Sequence, residues 1–148
     1  MVMAGVRIGK AAVFSHREYE SLAEFRYQLE LFLRRRRDAA RAEGLQAQQY
    51  ELLLAISGLP SSKQPTIKEI SAQLQLQHHT VVELADRLQK QKLLTRQRSP
   101  EDKRVVLLQV TATGRAALDR IVRYSLSHLR NEAPALIQSL RRILDKRS

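Results

Sequence analysis

Residues 67–91 carry two apolar stripes of helical period on two segments joined by only three residues, Gln75-Leu76-Gln77. The first stripe is Ile67, Ile70 and Leu74; the second is Val81, Leu84, Ala85 and Leu88, each confined to one face at 3.6 residues per turn. So short a connection makes the two helices, Ile67–Leu74 and about His78–Gln91, cross steeply and share one core, which is a helix-turn-helix arrangement. Thr66 and Glu69, at capping-box spacing, start the first of them. The side of the second helix opposite its stripe displays His78, His79, Val82, Glu83, Asp86 and Arg87 to solvent.

Local signals place the remaining elements around this pair. Ser15 and Glu18 form a capping box ahead of Leu22, Phe25, Leu29, Phe32 and Leu33, predicting a long helix from about His16 to Ala42 that Gly44 stops. The Arg34–Arg37 run near its end suits the helix macrodipole and reads as a solvated face. Leu45, Tyr50, Leu53 and Ile56 mark a second helix ended by Gly58 and Pro60. After Lys92, Leu94–Arg98 and Arg104–Val110 read as strands flanking the turn Ser99-Pro100-Glu101-Asp102, a hairpin with a charged tip. Thr111 caps a further helix bearing Leu118, Ile121, Val122, Ser125 and Leu129, and Asn131 caps a last one bearing Leu136, Ile137, Leu140, Ile143 and Leu144. The expected class is mainly α, a single domain over residues 1–148 with one short hairpin.

Composition narrows the chemistry. With 26 Lys+Arg against 15 Asp+Glu the chain carries +11, and 43% apolar residues is too many for a disordered basic tail. It is a folded protein suited to anions. The absence of cysteine excludes disulfides, thiolate metal sites and thiol catalysis. Neither phosphate-binding glycine motif occurs among the 5 glycines. His16, His78, His79 and His128 have no Ser/Asp or metal-ligand arrangement around them, and adjacent His78 and His79 point about 100° apart on a helix, so no metal, cofactor or enzymatic activity is expected. The longest apolar runs fall far short of the roughly 20 residues that span a bilayer, and Arg7 and Lys10 break any leader-like stretch, so a cytoplasmic protein is expected.

The wing run Asp102-Lys103-Arg104, followed by Val110-Thr111-Ala112-Thr113-Gly114, resembles the Asp-x-Arg and Leu-Thr-x-x-Gly motifs of the MarR family of transcriptional regulators. Thr80–Leu88 is similar to that family's recognition helix, and Gly44-Leu45 with Gln49-Tyr50 to the start of its second helix. The resemblance covers about residues 16–146. This chain departs from the family in having Val110 for Leu, in placing Gln77, His78 and His79 where small or capping residues are common, and in having Glu83 at a site often basic.

The resemblance implies a winged helix-turn-helix over residues 45–110, dimerisation helices over 16–42 and 112–146, and an N-terminal arm over 1–15. It implies a homodimer on a pseudo-palindromic double-stranded DNA operator, with repression as the family habit. In such a protein His78 and His79 can donate to phosphate or purine N7, Glu83 can accept from cytosine N4, and Val82 suits a thymine methyl; Thr80 belongs to the same surface. Arg87 either meets DNA or pairs with Asp86. Lys68, Lys90, Arg98 and Lys103 are candidate phosphate contacts. Asp102, two residues before Arg104, is spaced to hold its guanidinium, with Arg96 or Arg98 completing the network; the family implies that Arg104 enters the minor groove. A small aromatic or anionic effector is implied between dimer region and winged helix, with Phe25, Arg26 and Tyr50 as candidate lining. The rival expectation is a nonspecific basic module for nucleic acid or anionic membrane, using Arg34–Arg37 and Arg141, Arg142, Lys146 and Arg147.

Overall fold

The Ser15 side chain accepts from the Glu18 amide at 3.3 Å while the Glu18 carboxylate accepts from the Ser15 amide at 2.7 Å, closing the expected capping box. Helix α1, His16–Ala42, runs from this box to Gly44, whose φ of 73° ends it. The Gly44 amide donates to Arg41 and the Leu45 amide to Ala40, both at 2.9 Å, so the left-handed glycine satisfies two helix-end carbonyls. Then follow α2 (Ala47–Ser57), α3 (Ile67–Leu74), α4 (His78–Lys90), β1 (Leu94–Arg98), β2 (Val106–Val110) and α5 (Ala112–Leu144). The structure, a computed structural model, describes residues 13–145. Most of the expected N-terminal arm, and Lys146 and Arg147 of the basic tail, lie outside the described residues.

The turn between α3 and α4 bends at Gln75, which takes the left-handed conformation, φ 54°. Its own side-chain amide donates to the Ala72 carbonyl at 2.8 Å, which helps a non-glycine residue hold that position. At the front of α3 only half of the expected capping box forms. Thr66 accepts from the Glu69 amide at 3.1 Å, but the Glu69 carboxylate turns instead to Lys63, at 3.1 Å, and Gln73, at 3.2 Å.

The strands pair antiparallel from Leu94↔Val110 to Arg98↔Val106. The second strand is shorter than expected, because the Val105 amide donates to the Asp102 carbonyl at 3.0 Å and so commits Arg104 and Val105 to the tip turn. Leu52, Leu53, Ile70, Val81, Leu88, Leu94, Leu108, Leu118 and Ile121 are fully buried and join α2, α3, α4, the hairpin and the start of α5 in one core. Each such side chain is worth about 1.5–3 kcal/mol of burial.

The two expected C-terminal helices are one. Helix α5 is 33 residues long, with Asn131 exposed in its interior and Pro134 inside it. An interior proline costs about 3 kcal/mol; packing of α5 lengthwise on α1 outweighs that local break. Arg35 reaches Glu132 at 2.5 Å and His128 Nδ1 at 2.7 Å across this seam. Ser139, near the far end, is buried. The outer faces of the same helices leave Tyr19, Leu22, Leu29, Ile137, Leu140, Ile143 and Leu144 exposed. No described helix is long and apolar enough to cross a membrane.

Candidate nucleic-acid interface

Helix α4 buries Val81, Leu84, Ala85 and Leu88, as its stripe predicts, and exposes His78, His79, Glu83, Asp86, Arg87 and Lys90. Val82, expected to face solvent, is half-buried, as is Thr80, because both lie at the margins of the stripe. Gln77 precedes the helix without a side-chain cap, in contrast to Thr66 on α3 and Thr111 on α5. The first turn of α4 therefore presents amides not satisfied by a cap beside two exposed imidazoles. Arg87 does not pair with Asp86, whose carboxylate is taken by Arg96, and it makes no ion pair among the described residues. Lys68 on α3 and Lys90 at the end of α4 are exposed.

The hairpin tip is built to hold one arginine outward. Ser99 is buried, and its hydroxyl accepts from the Glu101 amide at 3.3 Å, tightening the turn. Asp102 Oδ1 accepts from the Arg104 amide at 3.0 Å and from Arg104 Nε at 3.1 Å, and Oδ2 accepts from Nη2 at 3.2 Å. The guanidinium is thus gripped on one edge while the side chain stays 91% exposed. Those bonds, from the Arg104 side chain first and its amide second, hold the Asp102 carboxyl below its ordinary value. Arg98 donates to the Lys103 carbonyl at 2.8 Å and so braces the tip as well as offering charge; Lys103 itself is exposed.

Arg96 does not join this network. Strand alternation puts it on the same side as the buried Leu94, toward α4, where Nη2 donates to Asp86 at 2.7 Å and Nη1 to Gln89. Asp86 and Gln89 were not among the expected support residues; their three-residue spacing on one helix flank is the only sequence signal for this contact.

The three proposed effector-lining residues do not converge. Phe25 and Arg26 line an open apolar groove with Tyr19, Leu22, Ala23 and Leu29, whereas Tyr50 is 5% exposed in the winged-helix core. Tyr50 lies near Arg36, and Arg36 is roughly 16 Å along α1 from Phe25. The arginine run beside it is a joint more than a solvated face. Arg35 binds Glu132, Arg36 binds Glu51, and Arg37 binds Glu30 at 2.9 Å, so among the described residues only Arg34 of that run is left to the nonspecific-module expectation without an ion pair. A groove of about 290 Å³ does lie between α1 and α5, lined by Asp38, Ala39, Ala42, Glu43, Arg120, Ile121 and Tyr124. Arg120 Nε donates to Glu43 at 2.9 Å there.

Residues 43–105 match the family model described as MarR family. Among curated proteins none matches the sequence. Wild-type apo MarR from E. coli superposes with a TM-score of 0.65 at 18% identity, over 89% of this chain and 98% of that one. CouR from Rhodococcus jostii, bound to p-coumaroyl-CoA, gives 0.69 at 20% identity, over 88% and 93%. A mutant of MepR from S. aureus bound to an oligodeoxyribonucleotide gives 0.62 at 19% identity, over 85% and 84%. Residues 43–105 are thus similar in sequence to the MarR family, and the described chain has the winged-helix fold seen in the solved structures of MarR family regulators.

Proposed function

We propose that the protein is a sequence-specific double-stranded DNA-binding transcription regulator, a repressor that grips a pseudo-palindromic operator as a homodimer. The observation that carries this is Arg104, pinned by Asp102 and exposed at the tip of a hairpin whose first strand packs on α4, the helix with the uncapped first turn. The α4 turn enters the major groove, where His78, His79, Thr80 and Glu83 meet base edges or phosphate, and Val82 offers its remaining exposed edge to a thymine methyl. Arg104 enters the neighbouring minor groove. Lys68, Lys90, Lys103, Arg87 and the unused donors of Arg98 meet phosphates and set the register.

Residues 45–110 form the reading unit in this proposal, and α1 with α5 forms the stem. The exposed apolar side chains of that stem are the material of an isologous two-fold interface. The similarity of fold to CouR in its complex with p-coumaroyl-CoA supports release by a small-molecule effector. The Asp38–Tyr124 groove, at the junction of stem and reading unit, is its proposed seat.

Selection of bound sequences from random duplex DNA tests the proposal. The expected product is an inverted repeat whose half-site centres lie about one helical turn apart. Recovery of unrelated sequences would reduce the protein to a nonspecific binder.

A further inference from the structure

Arg96 sits in the middle of β1, opposite Leu108 across the hairpin, yet its guanidinium leaves the wing. Its fork spans Asp86 and Gln89, which lie one turn apart on a single flank of α4. The arginine side chain is 26% exposed, so the contact is partly shielded from water. It is also the one hydrogen-bonded side-chain link between hairpin and α4 among the described residues. Apart from this link, the two elements that carry the proposed DNA contacts are held by apolar packing around Leu94 and by the tight turn Gln91-Lys92-Leu93, whose Lys92 has a φ of 63° and whose carbonyls accept from Thr111 just past β2. Apolar packing is non-directional, whereas a planar two-point fork has a fixed orientation.

We propose that Arg96 is a positioning residue for DNA binding: by clamping β1 to the C-terminal half of α4 it sets the angle at which Arg104 and the first turn of α4 reach one duplex together. This rests on the DNA-binding role proposed above. Arg96 is directed at α4, not outward, so its effect on affinity passes through geometry and not through a phosphate contact of its own.

The test pairs a DNA measurement with one that needs no DNA. In Arg96→Ala, affinity for the selected operator should fall roughly tenfold, the scale of a lost coupling between contacting groups. Affinity for scrambled duplex should change far less, and the slope of log affinity against log salt should stay the same. Arg96→Lys, which keeps the charge but cannot span both partners, should fall between. Separately, spin labels at Lys90→Cys and Lys103→Cys, in a chain with no cysteine of its own and diluted with unlabelled protein, should report a narrow distance distribution that broadens in Arg96→Ala. Equal loss on operator and scrambled duplex, with a salt slope lower by about one, would make Arg96 a phosphate contact and overturn the proposal. An unchanged distance distribution would overturn it too. If the starting protein binds no duplex while the distribution still broadens, the clamp stands and the DNA-binding role falls.

Discussion

Arg104 owes its pose to its own neighbour. An unpinned arginine at a turn tip samples many rotamers and must lose that freedom on binding, whereas the Asp102 fork removes much of it beforehand. Arg104→Ala should therefore weaken operator binding by about 1–3 kcal/mol. The melting temperature should be unchanged, because a side chain this exposed supports no core. The same substitution should let the Asp102 carboxyl rise toward its ordinary value, since the bonds that depress it are gone, and a ¹³C carboxyl titration would show the rise. The sign follows from linkage: a depressed carboxyl keeps its ion pair above the ordinary carboxylate range and loses it as pH falls through the depressed value. A carboxyl titration identical in the two proteins would mean that the fork does not persist in solution.

The joint between wing and α5 shows why an element boundary needs particular residues. Thr111 donates its hydroxyl to the Lys92 carbonyl at 2.8 Å and accepts from the Gly114 amide at 3.0 Å, so one side chain both caps α5 and ties it to the turn that follows α4. Gly114 lies where a Cβ would stand 2.1 Å from the Leu93 carbonyl oxygen, a backbone atom that cannot swing aside. Thr-x-x-Gly is readable in the sequence as a cap, but the reason for its glycine is this close approach between segments. Gly114→Ala should destabilise the fold by about 1–3 kcal/mol in urea titrations, through overpacking. Stability equal to the wild type would show that α5 starts elsewhere.

Across the whole molecule, the proposed dimer turns two modest reading units into one tight binder by holding half-sites within reach of both. Sedimentation should give twice the chain mass. Leu140→Glu, a charge on the exposed apolar face of α5, should yield monomers that lose most operator affinity while staying folded by circular dichroism. If about 6–10 phosphates are neutralised by the dimer, affinity should fall roughly 10³- to 10⁵-fold between 50 and 200 mM salt. A flat salt response would mean that the +11 charge serves some other anion.

The sequence by itself determined what local chemistry can determine. The Ser15 box, the Gly44 stop, the three-residue turn and the burial of Val81, Leu84, Ala85 and Leu88 all depend on groups within a few residues of one another. The grip of Asp102 on Arg104 is legible for the same reason, being a contact at a separation of two residues. Tertiary structure alone decided the rest. Pro134 and Asn131 look like a boundary locally, yet α5 runs through them because α1 lies alongside it. Tyr50 faces the core and not a crevice with Phe25. Arg96 turns from the wing tip to α4, and Arg35 and Arg36 are spent on acids from α5 and α2. An arginine carries its charge in the sequence, but which carboxylate receives it depends on distances between elements that only the folded chain sets.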